Sequence, residues 1–589
     1  MAGLALVATA SLAGRANQPW AEAALFGGFL LLMVPIALRL VAESPTRAER
    51  AALVCLLGLA LFVMKLLRGP LGVSDYDEFL HWRTAQDIVS SGTLFSPNSL
   101  LGVSPYYPGL ELVTTALSQM AGIPIFEAGV ITLAAARLTF MLALFFFFEV
   151  ASGDARVAGL AALIYMLNPK FLYFDSQFAY ESLALPFAAL VLYLLARRGH
   201  SGPSRWLGLT VIIMVTLPAV VVTHHVTSMM LAAFLVLWAL VALIMRRRDR
   251  HQPKPGRIAL FEIALIAGWT LTVATATISY LGPAITSTLT ELIRLIGGQL
   301  EPRELFVARS GAVAPLWERL VGSGSAAVII AFLPLGLLVV WSRFRNSSVM
   351  VALALVAAAY PASLLARFTS VGAEVATRTP EFLFLGIGAV VALGLARFSY
   401  RGRFKRPVQL GLVALFVAVI GVGSVIVGVP TWVRLPGPYL VSADFRSIEP
   451  QGISAATWAY DILGPGNRIA ADRINRILMA TYGHQTVVTS YETGFPIRRL
   501  YLEPEIGPAH RRIIAEGRVK YLLVDRRMTT APPAVGVYID RGEEAFISHD
   551  TALDPEFLDK FDRLAGVHRI FDSGDIQIYD ISALAAPAP

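Results

Sequence analysis

SDYDEFLHWRTAQDIVSSGTLF, residues 74–95, is a polar island between two membrane-length apolar segments. Asp75, Asp77 and Glu78 fall within four consecutive positions. If residues 77–89 are helical, Asp77 and His81 share a face at i,i+4, and Glu78 and Trp82 share the neighbouring one. Acids gathered just beyond a bilayer span either solvate a loop and cap a helix, with Asp75 or Ser74 as N-cap, or hold a base at the membrane surface for a lipid-linked substrate. The rest of the chain has to decide between the two.

Of 589 residues, 56% are hydrophobic and 15% charged, against about 25% charged in ordinary globular proteins. Apolar runs of membrane-spanning length recur along most of the chain, which makes it a polytopic α-helical membrane protein and excludes a soluble one. The single Cys55 lies inside one of those runs, so no disulfide framework or thiolate metal site is available, and any metal takes oxygen or nitrogen ligands. The net charge of +8 comes from basic residues in short loops between apolar runs, a pattern of membrane orientation rather than nucleic-acid binding. The apolar patch at residues 1–13 is short, lacks a leading basic region and precedes a separate span, so it does not read as a cleaved signal.

About twelve spans are predicted: 21–42, 51–68, 128–149, 156–172, 181–197, 206–223, 227–245, 258–280, 323–342, 348–366, 382–398 and 408–430. The basic loops ESPTRAER (43–50), RRGHSGPSR (197–205), RRRDRHQPKPGR (246–257), SRFRN (342–346) and YRGRFKRP (400–407) then all fall on one side, as cytoplasmic loops should. The acidic island and the C-terminal tail fall on the other, extracytoplasmic side. An odd number of crossings between the acidic loop and RRGHSGPSR leaves PGLELVTTALSQMAG (108–122) as an interfacial or re-entrant helix.

The expected organisation is therefore a transmembrane domain, 1–430, with outer loops at 69–127, 168–182, 281–322 and 367–381. NPKFLYFDSQFAYES (168–182) carries Lys170, Asp175, Gln177 and Glu181; THHVTS (223–228) places His224 and His225 at or just below the outer interface; ARFTSVGAEVATRTPEF (366–382) carries Arg367 and Arg378. Each has a bland reading as snorkelling anchor, helix cap or backbone partner. Ionisable groups near membrane depth are costly and mark function, and several such elements converge on one face.

From 431 to 589 no run is long enough to span, and turn signals alternate with short strands and helices, as expected of an extracytoplasmic α/β domain. Strands are predicted at 467–471, 485–490, 520–525, 536–540 and 575–580, and helices at 453–463, 474–483 and 510–517. The tail ALAAPAP reads as disordered.

DEFLHWRTAQDIVSSGTLF, followed by SPYYPGLELVTTALSQMAG, resembles the first outer loop of GT-C glycosyltransferases, especially protein O-mannosyltransferases and lipid A aminoarabinose transferases. FDSQFAYESLALPFAALVLYLLARR is similar to their second outer loop, and the resemblance covers roughly residues 51–200. The paired prolines of that family stand here as Tyr107, Pro108 and Gly109, and THHVTS does not align with it.

The resemblance implies transfer of a sugar from a polyprenyl-phosphate donor to a glycan, lipid or protein acceptor at the outer face of the plasma membrane. Asp77 and Glu78 match the acidic pair, Asp77 as general base and Glu78 positioning it or the sugar; Asp175 or Glu181 matches the second-loop acid. Gln177, Asp75, His81 and Tyr107 are candidates for holding the sugar or orienting a carboxylate. Arg378, Arg367, Lys170, His224 and His225 are candidates for the departing lipid phosphate. Alternatively the histidines share a divalent metal, Mg or Mn, with Asp175 or Glu181; no cofactor is required. The main alternative is a polymerase or ligase of lipid-linked polysaccharide with a polyprenyl-diphosphate donor. A transporter would predict charges along a path through the bilayer or matching broken helices, and neither pattern is visible; a sensor would work through the C-terminal domain.

Overall fold

The computed structural model describes residues 1–245, 254–297, 303–307, 311, 313–400, 406–547 and 550–585. The basic stretches 246–253 and 401–405 and the tail from 586 lie outside them. In chain order the first helices are α1 (Ala2–Arg15), α2 (Ala21–Val41), α3 (Arg47–Leu66), α4 (Tyr76–Ser91), α5 (Gly109–Ala121) and α6 (Ile125–Ser152). There follow α7 (Ala155–Met166), α8 (Glu181–Gly199), α9 (Pro203–Thr223), α10 (His225–Ile244), α11 (Pro255–Thr272) and α12 (Ala276–Ile296). The last of the bundle are α13 (Leu316–Val339), α14 (Ser348–Ala358), α15 (Tyr360–Ala366), α16 (Ser370–Arg378), α17 (Pro380–Tyr400) and α18 (Arg406–Gly428).

Among the described residues, nine helical segments are long and apolar enough to cross a membrane, and a tenth is counted if the bent pair α11 and α12 is one span. The protein is a multi-pass membrane protein. Three of the predicted spans differ in form. Residues 156–172 hold α7, only 12 residues long and buried on every face from Arg156 to Met166, so it sits within the bundle, against α6 and α17, rather than facing lipid. Residues 51–68 belong to α3, which carries Arg47, Glu49 and Arg50 at one end and Lys65 at the other. Residues 258–280 are broken, with a 107° bend between α11 and α12; the run Thr270-Leu-Thr-Val-Ala-Thr-Ala-Thr277 is rich in β-branched side chains that pay for helix in lost χ1 freedom. The segment 108–122 forms the short helix α5, packed on α4 and α6.

After α18 the chain builds a five-stranded mixed sheet in the order β2-β1-β3-β5-β4. The strands are β1 (Arg468–Ala470), β2 (Thr486–Val487), β3 (Tyr521–Asp525), β4 (His568–Asp572) and β5 (Ile576–Asp580). β1 pairs in parallel with β2 and β3, Ile469 lying opposite Val487 and Tyr521, while β5 runs antiparallel to both β3 and β4. The helices Pro450–Trp458, Arg473–Thr481 and Pro508–Glu516 agree with the sequence pattern. Residues 536–540 do not form the predicted strand: their backbone turns around Glu543, whose carboxylate accepts the N–H groups of Tyr538 (2.8 Å), Ile539 and Asp540 (2.6 Å). β4 was not expected, because as an edge strand it exposes His568, Arg569 and Asp572 and lacks an apolar alternation.

Close helix approach in the bundle depends on missing side chains. At Gly336 of α13 a Cβ would stand 2.0 Å from the Val390 carbonyl oxygen of α17, whereas at Gly208 of α9 it would meet nothing within 4 Å. Gly336→Ala is therefore expected to cost about 1–3 kcal/mol through forced backbone displacement, and Gly208→Ala to change stability by less than about 0.5 kcal/mol. Thermal unfolding of the two variants in detergent tests this, and equal melting temperatures would contradict the packing described.

Candidate active site

Asp75 caps α4, and the chemistry of its first turn separates two neighbouring acids. Glu78 points inward. Its carboxylate makes an ion pair with Lys65 of α3 and accepts the N–H groups of Ser74 (3.0 Å), Asp75 (3.1 Å) and Phe178 (3.0 Å). Burial pushes this carboxyl up, but Lys65 and the N–H donors outweigh it and hold Glu78 below the usual carboxylate range. Asp75 is likewise engaged, with Arg68 and with Lys65 at 3.2 Å. These two acids anchor the turn.

Asp77 follows Tyr76 on the other side of the helix and is half-buried. Desolvation raises its pKa; Arg378, His81 and Lys170 pull it back, and Asp444 adds to the rise. Two of the sequence-distant candidates, Arg378 and Lys170, are thus within electrostatic reach of Asp77. Arg378, at the end of α16, feels Tyr280, Glu181, Tyr180 and Asp77, which together hold it protonated against desolvation. It is exposed at the residue level, as a cation facing open space would be.

The histidines form an aromatic stack around Tyr180. The His81 ring meets Tyr180 edge-on at 4.2 Å, and the His224 ring stacks on Tyr180 at 4.3 Å. His81 Nδ1 is 2.7 Å from Glu111 Oε1. His224 Nδ1 accepts the Thr227 N–H at 3.3 Å, so the ring proton is left to Nε2, which stands 3.5 Å from Glu181 Oε1. His225 is buried, with its ring 5.0 Å from Tyr107 and 5.7 Å from Tyr280, and among the described residues neither ring nitrogen has a hydrogen-bond partner. Tyr107 shares a hydrogen bond of 2.9 Å with Thr277, beyond the break between α11 and α12.

The turns between α7 and α8 are organised from below by Asn168, which accepts the N–H groups of Lys170 (2.8 Å) and Phe171 (3.0 Å). Arg137 of α6 reaches in to donate to the Asp175 carbonyl at 2.6 Å and lies 4.2 Å over the Phe171 ring. Asp175 is buried beside Glu381, and burial pushes it up to about 6 against the pull of Arg137 and Lys170. Lys170 Nζ sits 3.6 Å over the Phe174 ring. Gln177 is buried with its side-chain oxygen unpartnered, and its carbonyl accepts the Ser182 hydroxyl at 2.8 Å.

Arg367 is not brought into this group: its electrostatic neighbours are Tyr360 and Arg303. Tyr180, Glu381, Tyr280, Glu111 and Asp444 join it without having been assigned a role from sequence. Glu381 was visible in the same loop as Arg378, and Tyr180 next to Glu181; nothing local marks Asp444, which arrives from the C-terminal region. Among the described residues no three His, Cys, Asp or Glu side chains come together as a metal-binding set. Glu181 lies beside His224, and Asp175, Glu181 and Glu381 are within electrostatic reach of one another; the steps below are derived for the side chains themselves.

No protein-family model matches the sequence, and no curated protein matches it significantly. Solved structures do. The oligosaccharyltransferase of Archaeoglobus fulgidus, tethered with an acceptor peptide, superposes with a TM-score of 0.52 at 13% identity, covering 83% of this chain and 70% of that one. The arabinofuranosyltransferase AftD from Mycobacteria gives 0.51 at 16% identity, covering 93% of this chain, which spans 42% of that protein's length. ArnT from Cupriavidus metallidurans gives 0.48 at 13% identity, over 91% and 99% of the two chains. The first two likenesses, with the helical bundle and the small mixed sheet that follows it, give this chain a fold of the GT-C type.

Proposed function

We propose that this chain is an integral membrane glycosyltransferase that moves a sugar from a polyprenyl-phosphate donor to an acceptor hydroxyl, with inversion, at the outer face of the plasma membrane. The observation that carries the reading is a half-buried carboxylate, Asp77, within electrostatic reach of two cations, Arg378 and Lys170, and of the Tyr180 ring. Asp77 takes the acceptor hydroxyl proton as that oxygen attacks the anomeric carbon. The bond from that carbon to the phosphate oxygen breaks, and the departing lipid phosphate gains one negative charge. Arg378 and Lys170 neutralise it, the guanidinium as a bidentate donor. Glu78 acts as the anchor that sets the direction of Asp77. The acceptor class stays open among glycan, lipid and protein, and residues 431–589 are assigned to the extracytoplasmic side.

Purified protein in bilayer discs, supplied with radiolabelled polyprenyl-phosphate mannose or arabinofuranose and a cell-envelope glycan extract, is expected to release polyprenyl phosphate. Asp77→Asn should lower this release by at least about 10²-fold with an unchanged melting temperature, whereas Glu78→Gln should lower the melting temperature as well. Preference for a polyprenyl-diphosphate donor would replace this reading with the polymerase or ligase one.

The base works only when ionised, and the Asp77 pKa is raised by burial. The rate should therefore fall with decreasing pH along a limb lying above the ordinary carboxylate value of about 4. A limb at or below that value would show that another group is titrating.

Arg378→Ala should weaken binding of undecaprenyl phosphate by about 10- to 100-fold, with Arg378→Lys between it and the parent because an ammonium offers a point charge without the planar fork. Titration followed by native mass spectrometry measures it, and equal affinity in all three would remove Arg378 from the phosphate site.

A further inference from the structure

Tyr76, the residue immediately before Asp77, is gripped by two arginines that lie some 400 positions later in the chain. Arg476 donates to the Tyr76 hydroxyl from Nη2 at 2.7 Å and from Nε at 3.2 Å. The Arg473 guanidinium lies over the face of the same ring, 4.1 Å from its centroid. Both belong to the helix Arg473–Thr481. Arg476 is itself fixed by Asp540 at 2.7 Å and by the Ile539 carbonyl at 3.2 Å. Farther along α4, Phe79 and Trp82 pack edge-on against Tyr482, 6.4 and 5.1 Å between ring centres, and Arg83 donates to the Ala480 carbonyl. The helix bearing Asp77 is thus docked along its length on the C-terminal region.

Arg473 makes a second connection. It pairs with Asp444 at 3.0 Å, and Asp444 is within electrostatic reach of Asp77. The turn that delivers Asp444 is unusual, with Ser442 and Asp444 at φ of 46° and 47°, a region costly for residues bearing a Cβ. It is held by hydrogen bonds from the Ser442 hydroxyl to the Val537 carbonyl (2.6 Å) and from the Ala443 N–H to the Ser447 hydroxyl (2.7 Å). Strain kept in place by such ties is placed where a side chain has to be aimed.

We propose that Arg473 and Arg476 are positioning residues: acting through Tyr76 they fix the rotation of the first turn of α4, and the Arg473–Asp444 pair sets the charge that Asp77 meets. The C-terminal region is then part of the catalytic apparatus. This rests on Asp77 being the base. The groups within electrostatic reach of Asp77 are Arg378 of α16, His81 of α4 itself, Lys170 and Tyr180 of the turns before α8, Glu181 at the start of α8, Tyr280 of α12, and Asp444. Of the acidic groups in this set, Asp444 is the one paired with Arg473, and its charge opposes ionisation of Asp77. Removing its charge favours the Asp77 anion, and removing Arg473 leaves Asp444 unneutralised and disfavours it.

The two partners of one ion pair should therefore move the acid limb of the pH–rate profile in opposite directions. Asp444→Asn shifts it to lower pH and Arg473→Met to higher pH, each by about half a unit to one unit, read as polyprenyl phosphate release by the full-length protein in bilayer discs. Tyr76→Phe, which removes the Arg476 hydrogen bonds and keeps the ring, lowers kcat about tenfold with KM unchanged. Arg473→Lys, which retains the charge, returns the limb to its parental position and serves where Arg473→Met folds poorly. Limbs that stay in place in both Asp444→Asn and Arg473→Met, or move the same way, overturn the proposal while leaving Asp77 as base if Asp77→Asn is inactive. Full activity of Asp77→Asn removes the base assignment, and the proposal falls with it.

Discussion

The buried carboxylate of Glu78 joins three parts of the chain that are distant in sequence: Lys65 at the end of α3, the first turn of α4, and the Phe178 N–H of the turns before α8. Charges taken out of water are tolerable when paired and fully hydrogen-bonded, and removing one partner of such a pair typically costs about 3–5 kcal/mol. The site depends on this arrangement because consecutive helical residues point about 100° apart. Once Glu78 is committed inward, Asp77 has to face the other way, toward Arg378 and the histidine stack. The proposed division into anchor and base rests on adjacent residues of the same chemical type, one of which has an ion pair and three N–H donors while the other is left half-buried.

The environment of Asp77 then balances two needs. A carboxylate taken partly out of water becomes more basic, which strengthens its pull on a hydroxyl proton, but it must still be ionised. Arg378, Lys170 and His81 counter the desolvation that raises it. In the proposed reaction Arg378 and Lys170 also serve the leaving phosphate, so neutralising the base before reaction and the leaving group after it are successive uses of one set of charges. The rings of Tyr180, His224 and His225 pack against one another beside His81, and low-dielectric groups of this kind lengthen the reach of a nearby charge.

Much of this was legible in the sequence. The density of acids at 75–78 marked the site, the alternation of Lys and Arg between loops put it on one face with His224 and Arg378, and four of the five predicted strands are in register in the sheet. What could not be read is non-local. Nothing near Glu78 says that its partners are Lys65 and the Phe178 N–H, so its positioning role could be expected from the resemblance but not the groups that hold it. Arg367 and Arg378 have the same local context, and only the break between α15 and α16 sends one toward Tyr360 and the other toward Asp77. Residues 536–540 have a strand-like composition but obey Glu543, a carboxylate that offers their N–H groups a better set of acceptors than a neighbouring strand. The span 258–280 was apolar throughout, and hydropathy does not register a 107° bend.

That bend belongs to a larger regularity. Backbone without helical hydrogen bonds is expensive at membrane depth and survives where it is enclosed by protein or lines a cavity. Four interruptions of the bundle meet at the same place. The turns between α7 and α8 supply Lys170, Asp175 and Tyr180. The single-residue corner between α9 and α10 is His224 itself, at φ −155° and ψ 124°. The break between α11 and α12 presents Thr277 to Tyr107 and carries Tyr280 to Arg378. The junction of α16 and α17 supplies Arg378 and Glu381. A bundle that needed only to be stable in lipid would have no reason to concentrate its costliest backbone on one spot. The concentration is explained if that spot has to admit a charged headgroup, and the ionisable side chains borne by these breaks are the ones such a headgroup would meet.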